Sequence, residues 1–368
     1  MFSNNTQLLQ LNHLYFFEGS FKNKTSYLSL KPKTLILNKK IFSLTQLRYN
    51  LKKKTNFYLT KNIPNHSSKQ LFTGLLTGNL DDNYLRYHFS KTGLQHILAI
   101  SGFHFSMLII FLSFLFKVFP SYIKTIALIV SATLYFLFIG NTPSVQRAYL
   151  CTTIALVGNL ILKKPIAINS LFLAAFIQLI FNPKIFFNIG FQLSFGSCFG
   201  IICFYNTFEK CIEKILIKRE KADLLKLSPL EKPIVKTLEY LRKATALSLS
   251  VNITIFPIIL FHFKKFAMLS FIYNLFIPIL ISISFFLLIT ALCIHIIFPF
   301  LSHLINNINS SFTKEILNII ESVPVICEYW IRVQHISYIF LILYLYIILQ
   351  SGLFLYFKQK DKPLFQYI

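Results

Sequence analysis

Two patterns of apolar and polar positions divide the chain near residue 95. Before that point apolar residues come in short groups. Tyr15–Phe21, Ser26–Leu30 and Thr34–Leu37 read as three short strands separated by Lys, Asn and Pro turns. Three such strands seldom make a sheet that stands alone. Ser43 is placed to cap a basic amphipathic helix reaching Lys54. A second helix is predicted over Ser68–Thr77, closed by Gly78. A third is capped by Asp81 and runs to Ser90, with Gly93 beyond its end. After residue 95 the apolar runs lengthen to the scale of a bilayer. They fall near 97–119, 122–140, 148–162, 166–182, 189–206, 244–262 and 268–298, with a last one near 336–357. A polar stretch over 207–243 reads as helical and solvent-exposed. The 268–298 run is too long for one straight helix, so Pro278 is expected to kink or break it. Residues 300–334 look amphipathic and suited to an interface or groove.

These elements predict an all-α polytopic membrane protein with a small N-terminal soluble segment containing short β-strands. The expected divisions are a basic soluble segment over 1–69, a transmembrane domain over 70–300, and an amphipathic segment with a final span over 300–368. Composition agrees, since 55% of the residues are hydrophobic and mean hydropathy is +0.60. The charge adds something the pattern does not. There are 37 Lys+Arg against 13 Asp+Glu, a formal net charge of +24. Such an excess suits a polyanion or anionic lipid, although an AT-rich genome also inflates Lys. Its placement is more telling. With the N-terminal segment outside, the inner connections hold Lys117, Lys124, Lys163, Lys164 and the ten Lys/Arg of 207–243. The outer ones hold Arg147, Lys184, Lys264 and Lys265, so the positive-inside rule favours this orientation by roughly three to one.

Polar residues inside apolar runs are the candidate chemistry, because a membrane helix keeps them for packing or for passage of something polar. His96 and His104 would share a helix face, either bonded to neighbouring helices, lining a conduit, or holding a metal. Ser101-Gly102 permits close backbone approach; Ala99 stands where an intramembrane serine protease would have glycine. Arg147 follows Pro143 at the mouth of two spans, and is either a snorkelling anchor or a phosphate contact. Gly190, Gln192 and Ser194 open a Phe-rich span, where Gln192 and Ser194 read as interhelical hydrogen-bonding groups or a polar lining. Pro257, Asn274 and Pro278 suggest plain kinks or helices broken around a cavity. Six cysteines show no C-x-x-C pair, so neither a zinc site nor a disulfide framework is expected. No phosphate loop, metal cluster or paired intramembrane carboxylate is visible, which argues against an ATPase, a nuclease or a cofactor-dependent enzyme. Residues 91–206 contain no Asp or Glu, which disfavours a cation-coupled transporter and favours an anionic permeant. A small-anion or lipid permease, an intramembrane enzyme and a structural scaffold are the competing classes.

Together, Gly93-Leu94-x-His96-x-Leu98-Ala99-Ile100-Ser101-Gly102-x-His104, Pro143-x-x-x-Arg147-Ala148, Gly190-Phe191-Gln192-Leu193-Ser194-Phe195, Pro257 and Asn274-Leu275-x-x-Pro278 resemble the ComEC family of DNA-internalisation competence proteins. The resemblance covers about residues 70–285. It implies a channel in the bacterial cytoplasmic (inner) membrane that admits single-stranded DNA during natural transformation. It also implies an external DNA receptor, and a cytoplasmic translocase or strand-binding and recombination proteins; an oligomer stays open. The strands of 1–69 would then be a partial OB-like barrel. Many members also carry a metallo-β-lactamase-like domain. Its ligands are not seen here, so no nuclease activity is expected of this chain.

Overall fold

The computed structural model describes residues 13–24, 27–40, 44–78, 80, 82–98, 102–163, 165–215, 231–323, 330–334 and 336–360. The chain divides into two compact units, Met1–Tyr58 and Leu59–Ile368. The first holds an antiparallel hairpin of β1 (His13–Lys24) and β2 (Tyr27–Lys40). Two of the three expected strands are therefore one. The register shifts between Glu18↔Thr34 and Gly19↔Pro32, so Lys33 is an extra residue in a bulge and Lys31–Lys33 is not a turn. A two-stranded ribbon has only edges, which tolerate proline's missing N–H. Within this unit the described strands form this one hairpin.

Helix α1 (Leu44–Asn62) extends past Lys54; its expected cap, Ser43, lies outside the described residues. Helix α2 (His66–Thr77) starts before Ser68 because Asn65 caps it, accepting from the Ser67 and Ser68 amides at 3.0 and 3.2 Å. Asp82, the residue after the expected cap, starts α3 (Asn83–Lys91). Gly93 follows at φ +73°, and a Cβ there would lie 2.6 Å from that of Ser270, so only glycine fits both the turn and the contact.

The 97–119 run is not one helix. It contains α4 (Gln95–Leu98), α5 (Gly102–Leu115) and a 3-10 turn (Phe116–Val118). There follow α6 (Ser121–Ile139), α7 (Pro143–Leu160), α8 (Ala167–Phe181), a 3-10 turn (Pro183–Phe187) and α9 (Ile189–Glu213). After them come α10 (Glu231–Phe263), β3 (Lys265–Ala267), α11 (Ser270–His295), α12 (Pro299–Glu321), β4 (Trp330–Arg332) and α13 (Tyr338–Lys360), with β3 and β4 paired. Helices α6, α9, α10, α11 and α13 are long and apolar enough to cross a membrane. The chain is a multi-pass membrane protein. Phe105, Ala132 and Val145 centre one core between α5, α6 and α7. Leu171, Cys203 and Phe204 centre another, where α8, α9 and α13 meet.

Two further expectations change. Neither Pro257 nor Pro278 breaks its helix, since α10 and α11 run through them. Most of the described part of 207–243 continues α9 and α10. Most of its described residues are exposed, as expected; Arg242 is the exception, 4% exposed and 3.9 Å from Glu209. Helix α12 is inside out over its first half, whereas beyond Thr313 it buries Ile316, Leu317 and Ile320 in the ordinary way. Ser302, Asn306, Asn309, Ser310 and Thr313 are buried, while Phe300, Leu304 and Ile308 face outward. Its polar stripe is tied to α11, with Ser284 and Thr313 hydroxyls 2.6 Å apart and Asn309 Nδ2 donating to Ser284 O at 2.9 Å.

Candidate functional site

Three sequence segments meet at Arg147. Pro143 opens α7, where its fixed φ suits a helix start and its missing N–H costs nothing. Arg147 lies one turn further on. Its Nε donates to Ser194 Oγ at 2.7 Å, and its Nη1 to Cys198 Sγ at 2.7 Å. Ser194 and Cys198 stand four residues apart and share a face of α9. Gly190 occupies the preceding turn, and a Cβ there would come within 3.9 Å of Pro143 Cγ. The 143/147 ridge of α7 thus runs along the 190/194/198 ridge of α9. The third wall is the start of α5. A Cβ on Gly102 would sit 2.2 Å from Arg147 Nη2 and 3.3 Å from Ala148 Cβ. Glycine at 102 is what lets the guanidinium lie there.

The electrostatics are one-sided. Arg147 is half-buried, and its side-chain partners are a hydroxyl oxygen and a cysteine sulfur. Among the described residues no carboxylate pairs with it, in keeping with the acid-free stretch 91–206. A guanidinium has five N–H donors in a planar fork, more than these two bonds use. Such a group can take a phosphate oxygen without first releasing an acid.

The other expected residues lie elsewhere. Gln192 Nε2 donates to Phe186 O at 3.0 Å, and its Oε1 is 2.8 Å from His262 Nε2. His104 is 1% exposed and stands edge-on to Phe285, with ring centroids 5.3 Å apart. His96 is exposed on α4, and Ser101 lies outside the described residues. Pro257 is buried within α10; Asn274 and Pro278 belong to α11, where Asn274 Oδ1 is buried with no hydrogen-bond partner among the described residues. The structure therefore unites Gly102, Arg147 and Ser194, sets Pro143 beside Gly190, and gives the rest other neighbours. Cys198 and His262 were not singled out by sequence. Cys198 could have been, being four residues beyond Ser194. Among the described residues no group of three His, Cys, Asp or Glu side chains could hold a metal ion.

The model of one protein family, Competence protein, matches residues 79–358. The chain belongs to the Competence protein family. The match takes in the whole Arg147 cluster and every other candidate residue. Within curated proteins, the chain is similar to ComE operon protein 3 of Bacillus subtilis (strain 168), 29% identical over 184 residues, or 50% of this chain and 20% of that protein. It is also similar to an uncharacterized protein, the MG316 homolog of Mycoplasma pneumoniae, 29% identical over 179 residues, or 47% of this chain and 44% of that one. The aligned regions thus span a fifth and under half of these relatives. No solved structure matches.

Proposed function

We propose that this Competence protein passes one strand of DNA across the bacterial cytoplasmic membrane during natural transformation. The observation that carries the reading is Arg147: a cation held between α5, α7 and α9 with no carboxylate beside it, inside 116 residues free of Asp and Glu. Family membership supplies DNA uptake as the process. The chemistry of the site supplies the ligand, since a phosphodiester is the anion such a fork suits. Arg147 and its neighbours contact the passing backbone. Basic segments on either side attract it through sequence-independent phosphate contacts that weaken with salt. The role is transport and not catalysis.

Inward movement of a negative charge against an inside-negative potential costs about 2.3 kcal/mol per charge per 100 mV. Fixed lysines and arginines cannot offset that cost nucleotide after nucleotide. An external receptor therefore delivers DNA, and a cytoplasmic translocase or strand-binding protein pulls it. The test separates capture from passage. Cells carrying Arg147→Ala should bind labelled DNA at the surface normally and accumulate about tenfold less cytoplasmic single strand, the loss expected for one charge-assisted contact. Normal accumulation would remove Arg147 from the path.

A further inference from the structure

A cavity of about 580 Å³ lies on the next face of α7, bounded by α6, α8 and the 3-10 turn after α8. Its volume is in the range of small-molecule sites, about 300–1,000 Å³. Three features of its wall belong together. Gln178 on α8 lines it, is only 4% exposed, and has neither Nε2 nor Oε1 hydrogen-bonded among the described residues. A shielded carboxamide with both ends unmatched is costly unless something fills the space. Phe136 and Tyr149 form an aromatic wall, stacked at 4.7 Å and 11°. Lys184 and the first turn of α7 supply positive potential. Thr142 gives that helix no side-chain cap, and no Asp or Glu lines the cavity.

The geometry points to this cavity as a site for one nucleotide unit of the strand, a deepening that rests on the reading above. The phosphate lies at Lys184 and the start of α7. The base enters against the aromatic wall, and the shielded Gln178 amide turns toward its edge to offer one donor and one acceptor. Carboxamides pair with base edges in this way, and π-faces accept bases with little regard to sequence. Gln146 lines the same wall and precedes Arg147 in α7. A lipid headgroup would use the phosphate half of this site and leave the base half empty.

The test uses the full chain in nanodiscs of zwitterionic lipid, with a short oligothymidylate as probe. Lys184→Ala and Gln178→Leu should each weaken binding about tenfold, and an abasic deoxyribose-phosphate strand should bind the native protein weakly and lose little more in Gln178→Leu. Ile308→Ala, outside the cavity, should bind as the native chain does. A second measurement needs no variant: a strand carrying iodinated pyrimidines should photo-crosslink to Tyr149. Full affinity in both cavity variants, or crosslinks mapping only to other regions, would overturn the site. So would equal binding of abasic and base-bearing strands with competition by anionic lipid, which would assign the cavity to a headgroup. Each of these results leaves the Arg147→Ala uptake experiment unaffected, so the two ideas can fail separately.

Discussion

An arginine fixed by a hydroxyl and a sulfur keeps its charge directed outward, whereas one fixed by a carboxylate spends much of it locally. Two substitutions test whether that arrangement matters. Arg147→Lys keeps the charge but cannot span Ser194 and Cys198 with one flexible ammonium. It should lower strand uptake by about the factor expected of Arg147→Ala, tenfold, because the fork is lost. Gly102→Ala places a methyl 2.2 Å from the present position of Nη2, so the guanidinium must swing away. Uptake should fall while the protein remains at normal levels in the membrane, read by immunoblot of membrane fractions. Full uptake in Gly102→Ala would show that the guanidinium's position does not matter. Much of this cluster is legible in the sequence, because Gly102, Arg147 and Ser194 each sit in a compact motif. His104 is different. A polar residue in an apolar run is equally compatible with a conduit and with packing, and its Phe285 neighbour is 181 positions away in sequence.

At the scale of elements, burial decides where pattern is ambiguous. Helix α12 has the alternation of a surface helix, yet its first half turns a Ser, Asn and Thr stripe inward and Phe300, Leu304 and Ile308 outward. In water that would be unstable; against lipid it is the expected arrangement, since polar groups are then bonded between helices. Asn309→Leu removes a second donor to Ser284 O, which keeps its own helical partner, and should destabilise the fold by about 0.5–1.5 kcal/mol, the worth of one interhelical hydrogen bond. Thermal unfolding in detergent measures this. Ile308→Ala, 59% exposed on the opposite face, should stay within about 0.5 kcal/mol. Equal effects from the two would mean that the polar seam does not hold α11 to α12. Periodicity reveals such a stripe but not which way it faces, so the sequence reading left α12 in an interface or groove. The prolines mislead for a related reason. Pro257 and Pro278 each remove one backbone donor, but long helices packed on several sides tolerate the loss without ending. Capping was clearer: the expected αL stop at Gly78 is present at φ 77°, while the Asp82 cap lies one residue from the expected one.

At the scale of the molecule, the fold class follows from apolar run length alone, because only helices and closed barrels satisfy a backbone in lipid. The N-terminal segment was less readable. A hairpin of 12 and 14 residues, with register shifts at Asn38 and Lys33, looks in sequence like three strands and a turn. The cavity beside α7 could not be foreseen, since its wall comes from four elements and its most telling residue, Gln178, sits in an ordinary apolar run. What unifies the molecule is charge: a +24 chain whose acids avoid 91–206, with an arginine at the junction of three helices in that stretch. That arrangement supports the proposed passage of a polyanion, in which a partner supplies the driving force. The most direct measurement follows end-labelled duplex DNA in a transformable host lacking this chain. Nuclease-protected external DNA is scored separately from cytoplasmic single strand. The account predicts that external capture persists and the cytoplasmic strand disappears, returning when the native gene is restored. Undiminished cytoplasmic strand in the deletion would contradict it.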